Sequence, residues 1–233
     1  MPTLHWLPQN SAWQQDLARL PADSSTGAWQ ALRRLANFRM GFAESLQLDR
    51  ALLKRFKDAA PDGPTTKPVR LAILGSSTTD HLLPGIRAGA LRRGIWLAAY
   101  VPAYGQYLQE LLDEGSGLHR FQPNAVLVAL VAQHLFGARN PVAGDSADAV
   151  LNEIGARLKK LWSTARGRFG CQVIQQTLLP LDMPLLGQNE QRVALSKQRL
   201  TAMLNERLRE WADAEGVDLL ALDDWVVRDG VAA

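Results

Sequence analysis

The sequence predicts an α/β fold, a doubly wound parallel sheet of five strands with an N-terminal helical extension. Three observations predict it. After residue 68, strand-like and helix-like segments alternate five times, which argues for an open parallel sheet joined by right-handed crossovers. The run "AVLVALV" (125–131) is apolar throughout, as in a parallel strand covered on both faces. With 233 residues, 47% of them hydrophobic, the chain is long enough to bury one large core with a smaller helical appendage.

The first part reads as helical. Ser11 is placed to cap a helix carrying Trp13, Leu17 and Leu20. "TGAWQALRRLANFRMGF" sets Trp29, Leu32, Leu35 and Phe38 three apart, and "ESLQLDRALLKRF" adds Leu46, Leu52, Leu53 and Phe56. "KDAAPDGPTTKP" (57–68) holds three prolines and a glycine and reads as a linker. The expected organisation is a helical extension at 1–58, a linker at 59–68 and an α/β domain at 69–233. Within that domain "VRLAIL" (69–74) is the first strand. "DHLLPGIRAGALRRG" is a helix with Pro84 in its tolerant first turn. "IWLAAYV" (95–101) is the second strand, "YGQYLQELLD" a short helix and 125–131 the third strand. "SADAVLNEIGARLKKLW" lines up Val150, Ile154, Leu158 and Leu161, and "CQVIQQTLL" is the fourth strand. A long helix carries Leu200, Leu204, Leu208 and Trp211 and stops at Gly216, and "VDLLALD" (217–223) is the fifth strand.

Composition narrows the function. The formal charge is +3, and no basic block is interleaved with aromatics, which disfavours a nucleic-acid ligand. The lone cysteine, Cys171, precludes an intrachain disulfide and a thiolate-rich metal site, and no metal site or cofactor is expected. No stretch reaches the roughly 18 apolar residues of a membrane span, and residues 1–20 lack a basic stretch, apolar run and cleavage site. A cytoplasmic protein is the expectation.

In an open parallel sheet the ligand sits beyond the C-terminal ends of the strands. Four segments lie there: "GSSTTD", "PAYGQY", "AQHLFG" and "DDWVVRDG", all read as loops. The first has neither the G-x-G-x-x-G nor the G-K-S/T pattern. A serine between Gly75 and a helix sits where backbone N–H groups and the helix dipole stabilise an oxyanion. Thr78, Thr79 and Asp80 are equally suited to cap the following helix or to hold an anion, so capping and chemistry both stay open. Gly105 allows close approach of a backbone N–H or serves a turn. Gln133 can donate into the crevice, and His134 is a candidate base or a structural histidine. Cys171 opens a strand at the opposite edge and reads as structural. Tyr104, Tyr107 and the seven tryptophans read as core or crevice wall, and Arg92-Arg93 as a solvated helix end.

Together the loops resemble the blocks of the SGNH hydrolases. The resemblance makes Ser77 the nucleophile within Gly75-Ser76-Ser77, with Ser76 in place of the family's aspartate. It puts Gly105 and Gln133 in the oxyanion hole, Gln133 standing for an asparagine. The fold implied is SGNH- or flavodoxin-like. A chain-long resemblance is to the N-terminal region of FkbH-like proteins of the haloacid-dehalogenase superfamily. It is carried by "WQALRRLANFRMGF", "LQLDRALLKRF", "RLAILGSSTTDHLLPGIRAGALRRGIWL", "YGQYLQELLD", "FQPNAVLVALVAQHLFG", "CQVIQQTLLP" and "LLGQNEQR". In that family an SGNH-like region precedes a phosphatase-like domain with a D-x-D-x-T motif. Its members load a glyceryl unit onto an acyl carrier protein for polyketide-type biosynthesis.

Two departures stand out. No D-x-D-x-T/V occurs in the sequence, so the phosphatase-like half, and the Mg²⁺ that would go with it, are expected outside this chain. SGNH enzymes also use a histidine in a D-x-x-H block after the last strand, and no histidine follows Asp223 and Asp224. The remaining histidines near the strand ends are His134 and His81. Three functions follow: part of an FkbH-type system that loads an acyl or glyceryl unit onto an acyl carrier protein, a stand-alone serine ester or thioester hydrolase, or a non-catalytic interaction module. The sequence does not indicate an oligomeric state.

Overall fold

The computed structural model describes residues 6–57, 67–137, 146–179 and 187–229. The linker read at 59–68 lies outside them except for Lys67 and Pro68, which open the first strand.

The chain packs as two compact units. The first comprises Met1–Leu71 and Thr79–Ala99. It holds α1 (Trp13–Ala18), α2 (Thr26–Ala36), α3 (Phe42–Phe56) and α4 (Leu83–Arg92), the start of β1 (Lys67–Gly75) and most of β2 (Ile95–Tyr100). The helices expected as an N-terminal extension share a core with α4 and β2: Trp29, Leu32, Leu48 and Phe56 pack with Ala88, Leu91 and Trp96. Trp29, Phe56 and Trp96 form an aromatic trio with centroids 5.8 to 6.3 Å apart. Such tilted pairs add roughly 0.5–1.5 kcal/mol each beyond the area they bury. Two polar ties cross this core. Arg87 on α4 donates to Asp49 on α3 at 3.1 Å, and Arg92 Nε donates to the Ala36 carbonyl that ends α2. Arg92 is therefore half-buried, not the solvated residue expected, and burial followed by the charge of Arg93 pushes its pKa down.

Capping at α1 also differs from expectation. Its N-cap is Ala12; Asn10 Oδ1 accepts the Ala12 N–H, and Asn10 Nδ2 donates to Asp16. Asn10, three residues before Trp13, holds the entry to the helix through Ala12 and Asp16, and no side chain, Ser11 included, caps α1. Ser25 caps α2 as its position suggests, accepting the Ala28 N–H at 3.2 Å.

The second unit comprises Ala72–Thr78 and Tyr100–Ala233. It contains α5 (Tyr107–Leu112), α6 (Gly117–Phe121), β3 (Ala125–Ala129), α7 (Ala132–Phe136), α8 (Ala147–Phe169), β4 (Gln172–Gln176), α9 (Lys197–Glu215), β5 (Asp218–Leu220) and α10 (Leu222–Asp229). Its core gathers Leu74, Val126, Val128, Val173, Leu158, Trp162, Leu204 and Leu208. Trp162 is wholly buried and donates to Gln175 Oε1 on β4 at 3.0 Å, which satisfies a buried polar side chain of the sheet.

The five strands run parallel in the order β2-β1-β3-β4-β5, flanked by helices. Ala125 pairs with Gln172 and Val128 with Gln175, while Ile174 pairs with Asp218. This is the flavodoxin-like doubly wound order. Helix-to-strand connections are short: Gly170–Cys171 joins α8 to β4 and Gly216–Val217 joins α9 to β5. Both glycines end their helices in the left-handed region, at φ +58° and +62°. Strand-to-helix connections vary more, from one residue between β5 and α10 and two between β3 and α7 to six between β2 and α5. Cys171 is buried in the short connection, its thiol donating to the Ala165 carbonyl, and burial raises its pKa, consistent with a structural role. Tyr107 is buried as expected, whereas Tyr104, Trp6 and Trp225 are 77%, 66% and 55% exposed and are not core residues.

Candidate functional site

The C-terminal end of β1 divides its two serines between different tasks. Ser76 is buried; its N–H donates to Ala129 O at 3.3 Å and its Oγ accepts the Val131 N–H at 2.9 Å. Val131 is the N-cap of α7, so Ser76 latches β1 to the β3–α7 junction. Gly75 is half-buried at the strand end. Ser77 and Thr78 are exposed, and among the described residues no side chain is hydrogen-bonded to Ser77 Oγ.

Thr79 and Asp80 belong to the first unit. Asp80 opens a 3₁₀ turn, Asp80–Leu82, for which Thr79 is the N-cap, but no side chain caps either this turn or α4. Thr79 Oγ1 is buried without a partner, so the capping half of the sequence reading is not what the structure shows. Pro84 in the first turn of α4 reduces the need for a cap, since it has no N–H to satisfy.

Gly105 is the third residue of a turn closed by Gln106 N–H to Ala103 O at 3.0 Å, with φ +74°. That backbone is the left-handed third position of a type II turn and selects glycine.

The segment "AQHLFG" is not a loop but a helix, α7, carrying Gln133 and His134 on exposed positions. Ala132, Leu135 and Phe136 are buried at helical spacing, which amounts to a single turn of pattern. His134 Nε2 lies 2.8 Å from the Tyr107 hydroxyl, the rings meeting edge to face at 5.6 Å. Loss of hydration, then the charge of Arg157, push the His134 pKa below its ordinary 6.5. Burial pushes Tyr107 up, with Arg157 opposing. Near neutral pH the phenol is therefore protonated and the imidazole neutral, so Tyr107 donates and Nε2 accepts. The basic nitrogen of His134 is occupied by Tyr107 rather than poised on Ser77. A serine without a base is a poor nucleophile.

The last block also differs from the sequence reading. "DDWVVRDG" is largely helix, α10, which Leu222 and Val226 at helical spacing and an acidic first turn could have announced. Asp223 accepts from Thr177 Oγ1 at 2.7 Å, from Arg209 Nη2 at 2.9 Å and from Asn205 Nδ2 at 3.2 Å. Burial alone would raise its pKa; the hydrogen bonds from Thr177 and Arg209 and the guanidinium charge outweigh it and hold the carboxyl below 3.8. Three residues beyond Asp223, where a D-x-x-H block carries histidine, stands Val226. Among the described residues no three His, Cys, Asp or Glu side chains gather to hold a metal ion, and no helix is long and apolar enough to cross a membrane.

The fold and strand order define a doubly wound α/β protein, and solved structures share that shape. One is the N-terminal part of the protein BF1531 from Bacteroides fragilis, containing a phosphatase domain complexed with Mg. It aligns with a TM-score of 0.58 at 14% identity, over 87% of this chain and 47% of that one. The chain thus spans about half the length of that solved N-terminal part. A lipase/acylhydrolase from Enterococcus faecalis aligns at TM-score 0.44 and 14% identity, over 68% of this chain and 78% of that one. A GDSL-like lipase from Bacteroides thetaiotaomicron aligns at 0.38 and 15%, over 77% and 78%. At such identities the likeness is one of fold. No family model matches the chain. No curated protein matches it.

Proposed function

We propose that this chain is the SGNH-hydrolase-like part of an FkbH-type system that places an acyl or glyceryl unit on an acyl carrier protein, and that it contributes carrier binding rather than ester hydrolysis. The observation that carries the choice over a hydrolase is at the strand ends: Ser77 is exposed with no hydrogen-bonded base among the described residues, His134 is engaged by Tyr107, and Val226 stands three residues after Asp223. A nucleophile stripped of its triad partners loses several orders of magnitude in rate. The two-part reading is supported by the likeness in fold to half of a longer protein that contains a phosphatase domain.

The test is a titration with holo and apo acyl carrier protein from the same locus, run beside hydrolysis of a short aryl ester. Saturable binding of carrier, with ester turnover that Ser77→Ala changes by less than about tenfold, is expected. Failure to bind either carrier form overturns the proposal. Ester turnover abolished in Ser77→Ala would instead establish a serine hydrolase.

A further inference from the structure

Beside the strand-end segments that carry Tyr107 and Leu135, the second unit has an open groove of about 560 Å³ between α5 and α8. Its walls are aliphatic: Leu108, Leu111 and Leu112 from α5 face Ala156, Leu158 and Leu161 from α8, with Leu130 and Leu135 also in the lining. Leu108 and Leu112, one helical turn apart, are 49% and 53% exposed. Solvating two large apolar side chains beside an apolar trough is unfavourable, and the volume falls in the range of small-molecule sites. From Glu153 to Thr164 the groove follows α8 for about 16 Å at 1.5 Å per residue, a long and narrow shape.

Its polar groups are not spread evenly. Arg157 and Lys160 are the cations of the lining, and among the described residues no carboxylate pairs with either. Arg157, Glu153 and Leu135 are shared with an adjoining cavity of about 230 Å³ that also touches His134. Tyr107, whose hydroxyl binds His134, lines the groove at that end. The trough therefore joins a hydrocarbon surface to a hydrogen-bonding end where Arg157 sits beside Glu153, with Lys160 one turn farther along α8, two cations against one carboxylate.

We propose that this groove binds an unbranched aliphatic chain with an anionic head, the chain lying between α5 and α8 and the head at Arg157 and Lys160. This site is distinct from Ser77, and the inference does not rest on the carrier-protein reading; a free amphiphile tests it without any carrier.

The experiment is calorimetric titration of the full chain with decanoate and with decanol, the same chain without its charge. One decanoate is expected per chain, with decanol weaker by about tenfold, a difference of one charge-assisted contact. The double variant Arg157→Gln/Lys160→Gln is expected to bring decanoate down to the affinity of decanol and to leave decanol unchanged. Ala156→Trp, which fills the trough, is expected to abolish both; Leu108→Glu on the opposite wall repeats the test should the first variant unfold. Absence of decanoate binding at millimolar concentration overturns the proposal. So does binding that survives both blocking variants, or equal affinity for decanol. Concentration-dependent self-association that Ala156→Trp removes, with no decanoate bound, would assign the groove to a second copy of the chain instead.

Discussion

At the scale of single residues, neighbouring side chains with similar chemistry have been given different work. Ser76 and Ser77 carry the same hydroxyl, yet one is a buried latch on Val131 and the other an exposed group without a base. Position alone was legible in the sequence: the strand–glycine–serine order locates both serines, but not which hydroxyl would find a backbone partner. His134 is the same kind of case. Its place just beyond the third strand could be read directly, whereas its partner, Tyr107, lies 27 residues away and becomes adjacent only when the sheet forms. The pair makes a measurable statement. In NMR titrations His134 is expected to lose its proton below 6.5, and Arg157→Gln is expected to move that transition upward without restoring the ordinary value, because loss of hydration is the larger cause. A titration of His134 at or above 6.5 in the wild-type protein would contradict the arrangement described.

At the scale of elements, the long helices were the most legible and the short ones the least. Residues 147–169 and 197–215 announce themselves through several turns of apolar periodicity. The five-residue α7 offers a single turn of pattern, too little to distinguish it from a loop after a strand. The fifth strand shrank from the expected 217–223 to Asp218–Leu220 because Asp223 is more favourably placed at the start of a helix, where Thr177 and Arg209 converge on it. Helix α8 also holds an internal control. A Cβ at Gly155 would lie 2.5 Å from the Trp211 ring of α9, whereas one at Gly167 would meet nothing within 4 Å. Gly167→Ala is expected to stabilise the protein by about 0.5–1 kcal/mol through helix propensity. Gly155→Ala is expected to destabilise it by about 1–2 kcal/mol, since the clash of roughly 1–3 kcal/mol outweighs that gain. Urea unfolding of both variants checks the opposite signs. In the first unit, Arg87→Met strands the Asp49 carboxylate, whose side chain is only 7% exposed; a loss of about 3–5 kcal/mol near neutral pH is expected, and a loss below about 1 would mean that the pair is not buried in solution.

For the whole molecule, acid stability is a contest between carboxylates shifted in opposite directions. Asp223 has a folded pKa below 3.8, so its contribution is complete above that value and is lost as the pH falls through the folded pKa. Burial raises Asp49 despite the opposing charge of Arg87, so its contribution is complete below 3.8 and is lost as the pH rises through its higher folded pKa. Asp223→Asn is therefore expected to lose stability at neutral pH and to converge on the wild type as the pH falls below 3.8. A gap between the two that stays constant on acidification would remove Asp223 as the source. None of this was available from composition: a formal charge of +3 reports only the balance of 26 cationic against 23 anionic side chains, while the direction of each shift depends on the donors that folding brings to it.

The unequal connections of the fold have an evolutionary side. Where a helix returns to the sheet, two residues and a left-handed glycine make the turn, as at Gly170–Cys171 and Gly216–Val217, and an added residue there would force the next strand out of register. Between β2 and α5 the chain instead has six residues and length to spare, unlike the one- and two-residue exits from β5 and β3. Lineages of this architecture can therefore lengthen, shorten or rewrite that connection while the glycine turns stay fixed. Changes of specificity can accumulate there without the fold having to be solved again.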